Sequence, residues 1–414
     1  MSELLTYLHG SELVAGFQRA CGLFPKEATY QTSTPDHLRE NGSVLTRDSD
    51  GSDYRQRHNA QLQNGTISAQ DNNFNYKYKV NGCNGCGVKH TEPAQYVVRN
   101  QLFYFLFLVS AALGSEVFYI SFLPCIHWNL DPFLCRRLVN VWAVVMYIGQ
   151  VMKDVLKLPR PLAPPVVKLE KRVDAEYGMP STHAMAATAI AFTLLLSAQE
   201  RVQFQFEVGL VLAVVVSALV GLSRLYTGMH SALDVICGFL ISGLLVGMSY
   251  PFWTTFDDLQ LNSLFSPVIA VVLPLFLCYT YPELDHYSTT RGDTTIILGV
   301  SAGCSVGYWV NQRLGQTFEP KGPLPVALPP LTSAGLLRGV ARFVVGLGML
   351  VLTRQTIRWA SLRIVCWARG ESPSDVNARR KKDIEVPYKF STYTAIGLVN
   401  SILVNRVFLL LQLL

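Results

Sequence analysis

His230 and Asp234 stand four residues apart in SRLYTGMHSALD (223–234), shortly after Arg224. On a helix this spacing puts imidazole and carboxylate on one face. The carboxylate can then accept a hydrogen bond from one ring nitrogen and leave the other free to attack. A second histidine, His183, follows Pro180 and Ser181 in EYGMPSTHAMAAT (176–188). Pro180 and Ser181 read as a helix start with Ser181 as cap, and a helix N-terminus presents free N–H groups that favour phosphate. The third cluster is KDVLKLPRP, where Lys153 and Arg160 are seven apart, about two helical turns, so both can share a face. Pro161 then keeps the helix from running on. Each cluster alone has a plain account: cations snorkelling to headgroups, a capped helix with an interfacial histidine, a helix start with an incidental His and Asp.

The elements that must carry these residues are set by composition. Half of the 414 residues are hydrophobic and only 15% are charged, against about 25% in soluble proteins. The deficit lies after about residue 100, which predicts a membrane protein behind a polar N-terminal tail. Apolar runs near the ~20 residues needed to cross a bilayer predict spans at 101–123, 138–157, 184–199, 207–224, 232–250, 264–282, 294–310, 336–352 and 393–411, about nine in all. The expected fold is therefore all-α, a polytopic transmembrane helical bundle. Residues 1–99 are expected to be a polar, largely disordered tail, with an amphipathic helix over 2–24 as one reading. Residues 100–260 form the expected catalytic transmembrane core, and 261–414 further transmembrane helices with a basic loop at 353–392. Within that loop 354–370 reads as an interfacial helix. No signal peptide is visible at the start.

The formal net charge of +6 is small for this length, and no basic stripe with interleaved aromatics argues for nucleic acid. The nine cysteines are scattered, mostly in apolar runs. Cys83, Cys86 and His90 read C-x-x-C-x3-H without a second pair, better explained as a loop with incidental cysteines than as a zinc site. Asn41 and Asn64 begin glycosylation sequons that matter only if the tail is lumenal.

Topology joins the three clusters. The 157–183 loop and the 225–231 loop are separated by two crossings, so they open on the same side. Ionisable groups at membrane depth are functional suspects by default. Three cations, two histidines, an aspartate and a helix N-terminus on one aqueous face suit one task. They can hold a dianionic phosphate, attack it with an imidazole and protonate the leaving oxygen, since phosphoryl transfer asks mainly for positioning and charge stabilisation.

Together, K-x6-R-P at 153–161, P-S-x-H at 180–183 and S-R-x5-H-x3-D at 223–234 resemble the three motifs of the type 2 phosphatidic acid phosphatase superfamily. The flanking GSEVFYISFLP, VVMYIGQVMKDVLKLPRP, PPVVKLEK, LSRLYTGMHSALDV, STTRGDT and IEVPYKFSTYT resemble the sphingosine-1-phosphate phosphatases within it. Carried over motif by motif, the resemblance implies that His230 is the nucleophile and forms a phosphohistidine, oriented by Asp234. Lys153, Arg160 and Arg224 would bind the phosphate oxygens, helped by the Ser181 backbone N–H. His183 would be general acid for the leaving alkoxide and then base for water. No metal or other cofactor is implied. The implied partners are a sphingoid base phosphate lipid and the bilayer, and the implied place is the endoplasmic reticulum membrane with a lumenal site. Glu283, Asp285 and Asp293 are candidates for sensing the substrate's ammonium or hydroxyl, with a loop-stabilising ion network around Arg291 as the competing account. The alternatives are a broad-specificity phosphatidic acid phosphatase and a non-catalytic lipid-binding or transport bundle.

Overall fold

The structure, a computed structural model, describes residues 2–26, 96–170, 176–320, 322–327 and 332–413. Cys83, Cys86, His90 and both sequons lie outside these residues. The N-terminus forms α1 (Ser2–His9) and α2 (Ser11–Ala20). A short antiparallel ribbon then pairs Leu23–Pro25 with Tyr96–Val98. The membrane part begins with α3 (Gln101–Leu113) and α4 (Glu116–Asn129), bent by 62° at their junction. Next come α5 (Pro132–Leu156), α6 (Thr182–Ala198), α7 (Phe206–Tyr226) and α8 (Ala232–Ser249). Then follow α9 (Trp253–Asn262), α10 (Ser266–Tyr279) and α11 (Thr290–Arg313). The chain closes with α12 (Ser333–Arg369), α13 (Val376–Arg380), α14 (Lys382–Leu398) and α15 (Asn405–Leu410), the last two joined by a π-helical turn.

Local chemistry explains the ends that matter. At the start of α5 the Asp131 carboxylate accepts the Phe133 N–H and Pro132 supplies a preset φ. That helix stops at Lys157, which adopts a left-handed conformation (φ 52°) two residues before Pro159. At the start of α8, Ser231 and Asp234 form a reciprocal capping box. The outward faces are apolar, with Val208, Val211, Leu212, Leu240 and Leu244 exposed, as expected where lipid rather than water is the neighbour. The largest buried cluster joins α4, α5, α6 and α11 through Leu123, Trp142, Ala186 and Ile297. At the end of α5 away from Lys153, Arg136 and Arg137 pair with Asp257, and Arg201 with Asp131 and Glu319.

Several expectations change. Among the described residues five helices are long and apolar enough to cross a membrane, or six if the bent α3–α4 pair counts as one. The count of nine is not reached, because α6 and α10 are short apolar helices and α11, though 24 residues long, carries too many polar residues to qualify. The segment at 354–370 is not a separate interfacial helix. It continues the 336–352 run as one helix of 37 residues. Arginine is a good helix former, so Arg354, Arg358 and Arg363 do not interrupt it, and Gly370 (φ 67°) ends it. The same helix and α14 replace most of the expected basic loop at 353–392. The expected amphipathic helix over 2–24 is two helices broken at Gly10. They pack on the protein: Val14 and Ala15 meet Val166, and Gln18 is buried.

Candidate active site

Four helix ends and two loops build the site. The final turn of α5 carries Lys153, the loop behind it Arg160, the mouth of α6 Ser181 and His183, the last turn of α7 Arg224, and the turn into α8 His230 and Asp234. His183 lies within electrostatic reach of Arg224, His230, Lys153 and Arg160. The structure therefore brings the three sequence clusters together.

The cations are held by carboxylates that sequence reasoning did not single out. Lys153 Nζ lies 3.4 Å from Glu176 Oε2 and 3.3 Å from the Thr182 hydroxyl. Arg160 donates from Nε to the Glu176 carbonyl and from Nη1 to the Met229 carbonyl, both at 2.9 Å, and its Nη2 stands 3.5 Å from Glu176 Oε2. Arg224 grips Glu170 through two bonds, 2.8 and 3.1 Å, the fork geometry that also fits phosphate. Burial would raise the Glu176 carboxyl, but Lys153, the Thr289 hydroxyl and Arg160 outweigh it and hold it below the ordinary carboxylate range. Their only trace in the sequence was a place among the three acidic residues, Glu170, Asp174 and Glu176, of a loop that also carries five lysines and arginines.

His230 is fully buried in the turn before α8. Burial, then Arg160, Arg224 and Lys153, push its imidazole well below the ordinary histidine range, so it is held neutral. Its Nδ1 is 3.6 Å from Asp234 Oδ2, longer than a hydrogen bond. Asp234 Oδ2 instead accepts the Ser231 N–H at 2.7 Å as half of the capping box. The His–Asp contact expected from the i, i+4 spacing is thus close but unclosed, because the helix start competes for the same oxygen.

Ser181 differs from expectation in two respects. Its backbone N–H donates to the Asp234 carbonyl at 3.0 Å, so it is not free for phosphate, and its hydroxyl makes no cap bond. That hydroxyl is buried and without a partner. The bond has a different use: it stitches the α6 mouth to the α8 mouth. The first helical bond of α6 runs from Met185 N–H to the Ser181 carbonyl, which leaves the amides of residues 182–184 as the ones at the helix mouth.

Outside the motifs, Asp154 accepts the Tyr281 hydroxyl at 2.8 Å and also the Thr290 hydroxyl, while Thr289 bonds Glu176. The 281–290 loop is thereby tied beside the site. Of the three headgroup candidates in or just after it, Glu283 is exposed and pairs with Lys382 at 2.6 Å, and Asp285 is exposed. Asp293 faces a cavity between α4, α5, α11, α12 and α14. The Arg291 ion network is real, but its partner is Glu385, at 2.8 Å. Among the described residues no three His, Cys, Asp or Glu side chains converge as a metal site would require.

The N-terminal helices also reach the site, and nothing in their sequence announced it. Gln18 donates to the carbonyls of Val167 and Tyr226 and accepts the Val167 N–H, tying the loop behind Arg160 to the end of α7. His9 Nδ1 lies 3.4 Å from the Ser231 hydroxyl. Where those loops cross, Gly228 (φ +72°) leaves no room for a side chain, since a Cβ would sit 2.2 Å from the Val167 carbonyl oxygen.

Comparison with known proteins places the three motifs in a known family. The PAP2 superfamily model matches residues 135–258, a stretch that contains all three motifs. Human sphingosine-1-phosphate phosphatase 2 is 49% identical over 402 residues, covering 96% of each chain. Rat sphingosine-1-phosphate phosphatase 1 is 40% identical over 313 residues, 75% of this chain and 73% of that protein. A dihydrosphingosine 1-phosphate phosphatase of Schizosaccharomyces pombe is 29% identical over 280 residues, 66% of each. No solved structure matches. With both the motif core and nearly the full length shared, the chain belongs to the sphingosine-1-phosphate phosphatase family of the PAP2 superfamily.

Proposed function

We propose that this protein is a lipid phosphate monoesterase that dephosphorylates sphingosine 1-phosphate and dihydrosphingosine 1-phosphate through a phosphohistidine. The observation that carries the chemistry is a neutral, buried His230 amid Lys153, Arg160 and Arg224. The names of the relatives supply the substrate class.

The neutral imidazole of His230 carries its proton on Nδ1, toward Asp234, and attacks phosphorus through the Nε2 lone pair. The ester P–O bond breaks as the N–P bond forms, and the three cations take up the charge on the phosphoryl oxygens. The bound dianionic phosphate offsets the field of the three cations, so His183 stands as imidazolium in the complex and gives that proton to the leaving alkoxide, which departs as the sphingoid alcohol. It then takes a proton from water as that water attacks phosphorus, releasing inorganic phosphate and free His230. Glu170 and Glu176 occupy the cations now, so substrate binding exchanges carboxylate oxygens for phosphate oxygens. Asp234 acts by holding the turn through its cap and by its charge near Nδ1. Ser181 acts by joining the two helix mouths. Asp293 is the headgroup candidate that the cavity favours over Glu283 and Asp285. The resemblance further supports a place in the endoplasmic reticulum membrane with the catalytic end in the lumen.

Phosphate release by purified protein tests the reading. His230→Ala abolishes it, and His183→Ala lowers it by about 10²–10⁴-fold, the usual worth of a general acid–base. Both proteins should elute from gel filtration like wild type. Full turnover by His230→Ala would sink the mechanism. Equal turnover of phosphatidic acid and sphingosine 1-phosphate would replace it with the broad-specificity reading.

A further inference from the structure

Helices α4, α5, α11, α12 and α14 surround a cavity enclosing about 970 Å³ of empty space, part of it open to the outside. Its walls are almost wholly apolar, with Leu123, Trp142, Ile297 and Leu350 among them, and Asp293 and Arg354 are its charged members. From Asp293 to Cys304, both on its wall, α11 rises about 16 Å, close to half of a ~30 Å hydrocarbon core. The cavity is thus as deep as one leaflet.

Two observations connect it to the catalytic end. The first is Tyr119 of α4, which lines the cavity and is 4% exposed. Its hydroxyl is buried with no hydrogen-bond partner, and the Arg224 guanidinium acts on it electrostatically. A buried phenol without a partner is costly, and its helix starts beside the phosphate site: a Cβ on Gly114, two residues before α4, would sit 3.1 Å from the His183 ring. The second is α11 itself. Thr289, at its N-terminus, touches Glu176, which contacts Lys153 and Arg160, and Asp293 follows one turn later. Of the walls, only part of α5 falls within the matched superfamily core of residues 135–258. The remainder comes from helices outside it.

We propose that this cavity takes the hydrocarbon chain of the lipid phosphate substrate, and that the Tyr119 hydroxyl donates to the substrate's head beside Arg224. This rests on the phosphatase reading above. A single chain running down from the phosphate fills an apolar slot one leaflet deep. The helices outside the superfamily core then set which lipids are accepted, while the core performs the chemistry.

The test compares long-chain and short-chain sphingoid phosphates on Ile297→Trp and Leu350→Trp, which fill the slot. KM for the long-chain substrate should rise at least tenfold and that for the short-chain substrate stay within twofold. Tyr119→Phe, which keeps the ring, should lower kcat/KM roughly tenfold for both, because the head contact is independent of chain length. Equal effects on both chain lengths, or none on either, would overturn the chain assignment, and unchanged kinetics in Tyr119→Phe would overturn the hydroxyl's role. Should the tryptophan variants fail to fold, wild-type protein with a non-hydrolysable sphingoid phosphonate carrying a terminal diazirine decides the matter. Labelled peptides should come from 120–142, 296–304 or 347–351, and labelling elsewhere refutes the assignment. That experiment needs no turnover, so it separates failure of this inference from failure of the phosphatase reading.

Discussion

His230 is neutral because of where it sits. The fold buries it among three cations and keeps it neutral, which suits a nucleophile and carries a pH signature. In the unfolded chain a histidine binds a proton near pH 6.5. The folded protein holds this one neutral to well below that pH. Between the two values the unfolded state binds more protons, so stability rises with pH and is lost on acidification. Each pH unit below 6.5 costs up to about 1.4 kcal/mol while the folded site stays neutral. Wild-type protein in detergent should therefore lose more thermal stability between pH 7.5 and 5.5 than His230→Gln does. Heat-induced loss of the gel-filtration peak measures this, and a larger loss in the variant would contradict it. The identity of the basic and histidine residues was legible from their spacing. The carboxylates on them were not: Glu170 and Glu176 have no periodicity, and only the folded loops bring them to Arg224, Lys153 and Arg160.

Elements position the site by their ends rather than by their faces. The amide of Ser181 bonds the Asp234 carbonyl, and Gln18 bonds Val167 and Tyr226, so three helix mouths and one loop form a single frame. Gln18→Leu leaves a buried N–H and two buried carbonyls short of a partner, at about 1–3 kcal/mol. It is expected to lower kcat about tenfold with the membrane-inserted fold retained, because only the frame around Arg224 and His230 loosens. The kcat measurement should be paired with limited proteolysis, which should quicken within 162–169. Wild-type kcat in Gln18→Leu would show that the N-terminal helices are ornamental to catalysis. The start of α6 at Pro180–Ser181 could be read in sequence, although the Ser181 hydroxyl makes no cap bond there. The helix at 333–369 could not, because arginines within a helix look like a boundary when only hydropathy is followed.

At the scale of the molecule, the ribbon between Leu23–Pro25 and Tyr96–Val98 packs against Val167 and Tyr226 at the catalytic end. Pro25 and Tyr96 therefore lie on that side of the membrane, and the sequons at Asn41 and Asn64, between them in the sequence, allow a test of which side it is. If the catalytic end is lumenal, expression in cells should give a glycosidase-sensitive mobility shift that Asn41→Gln with Asn64→Gln removes. An unshifted protein whose N-terminus is digested by protease in intact microsomes would place the site in the cytosol.

Sequence alone determined the phosphatase family of this protein and the helical, membrane-bound class of its fold. Apolar run length follows from bilayer thickness, and a phosphate site needs particular residue types at helix ends, so both leave local patterns. What only the tertiary structure decided was which groups meet across those patterns. It placed Glu170 and Glu176 on the cations, took the Ser181 amide for Asp234, and brought α1 and α2 onto the motif loops. It also opened an apolar slot beside Tyr119. Each depends on contacts between residues far apart in the chain, which hydropathy and spacing along a single segment do not encode.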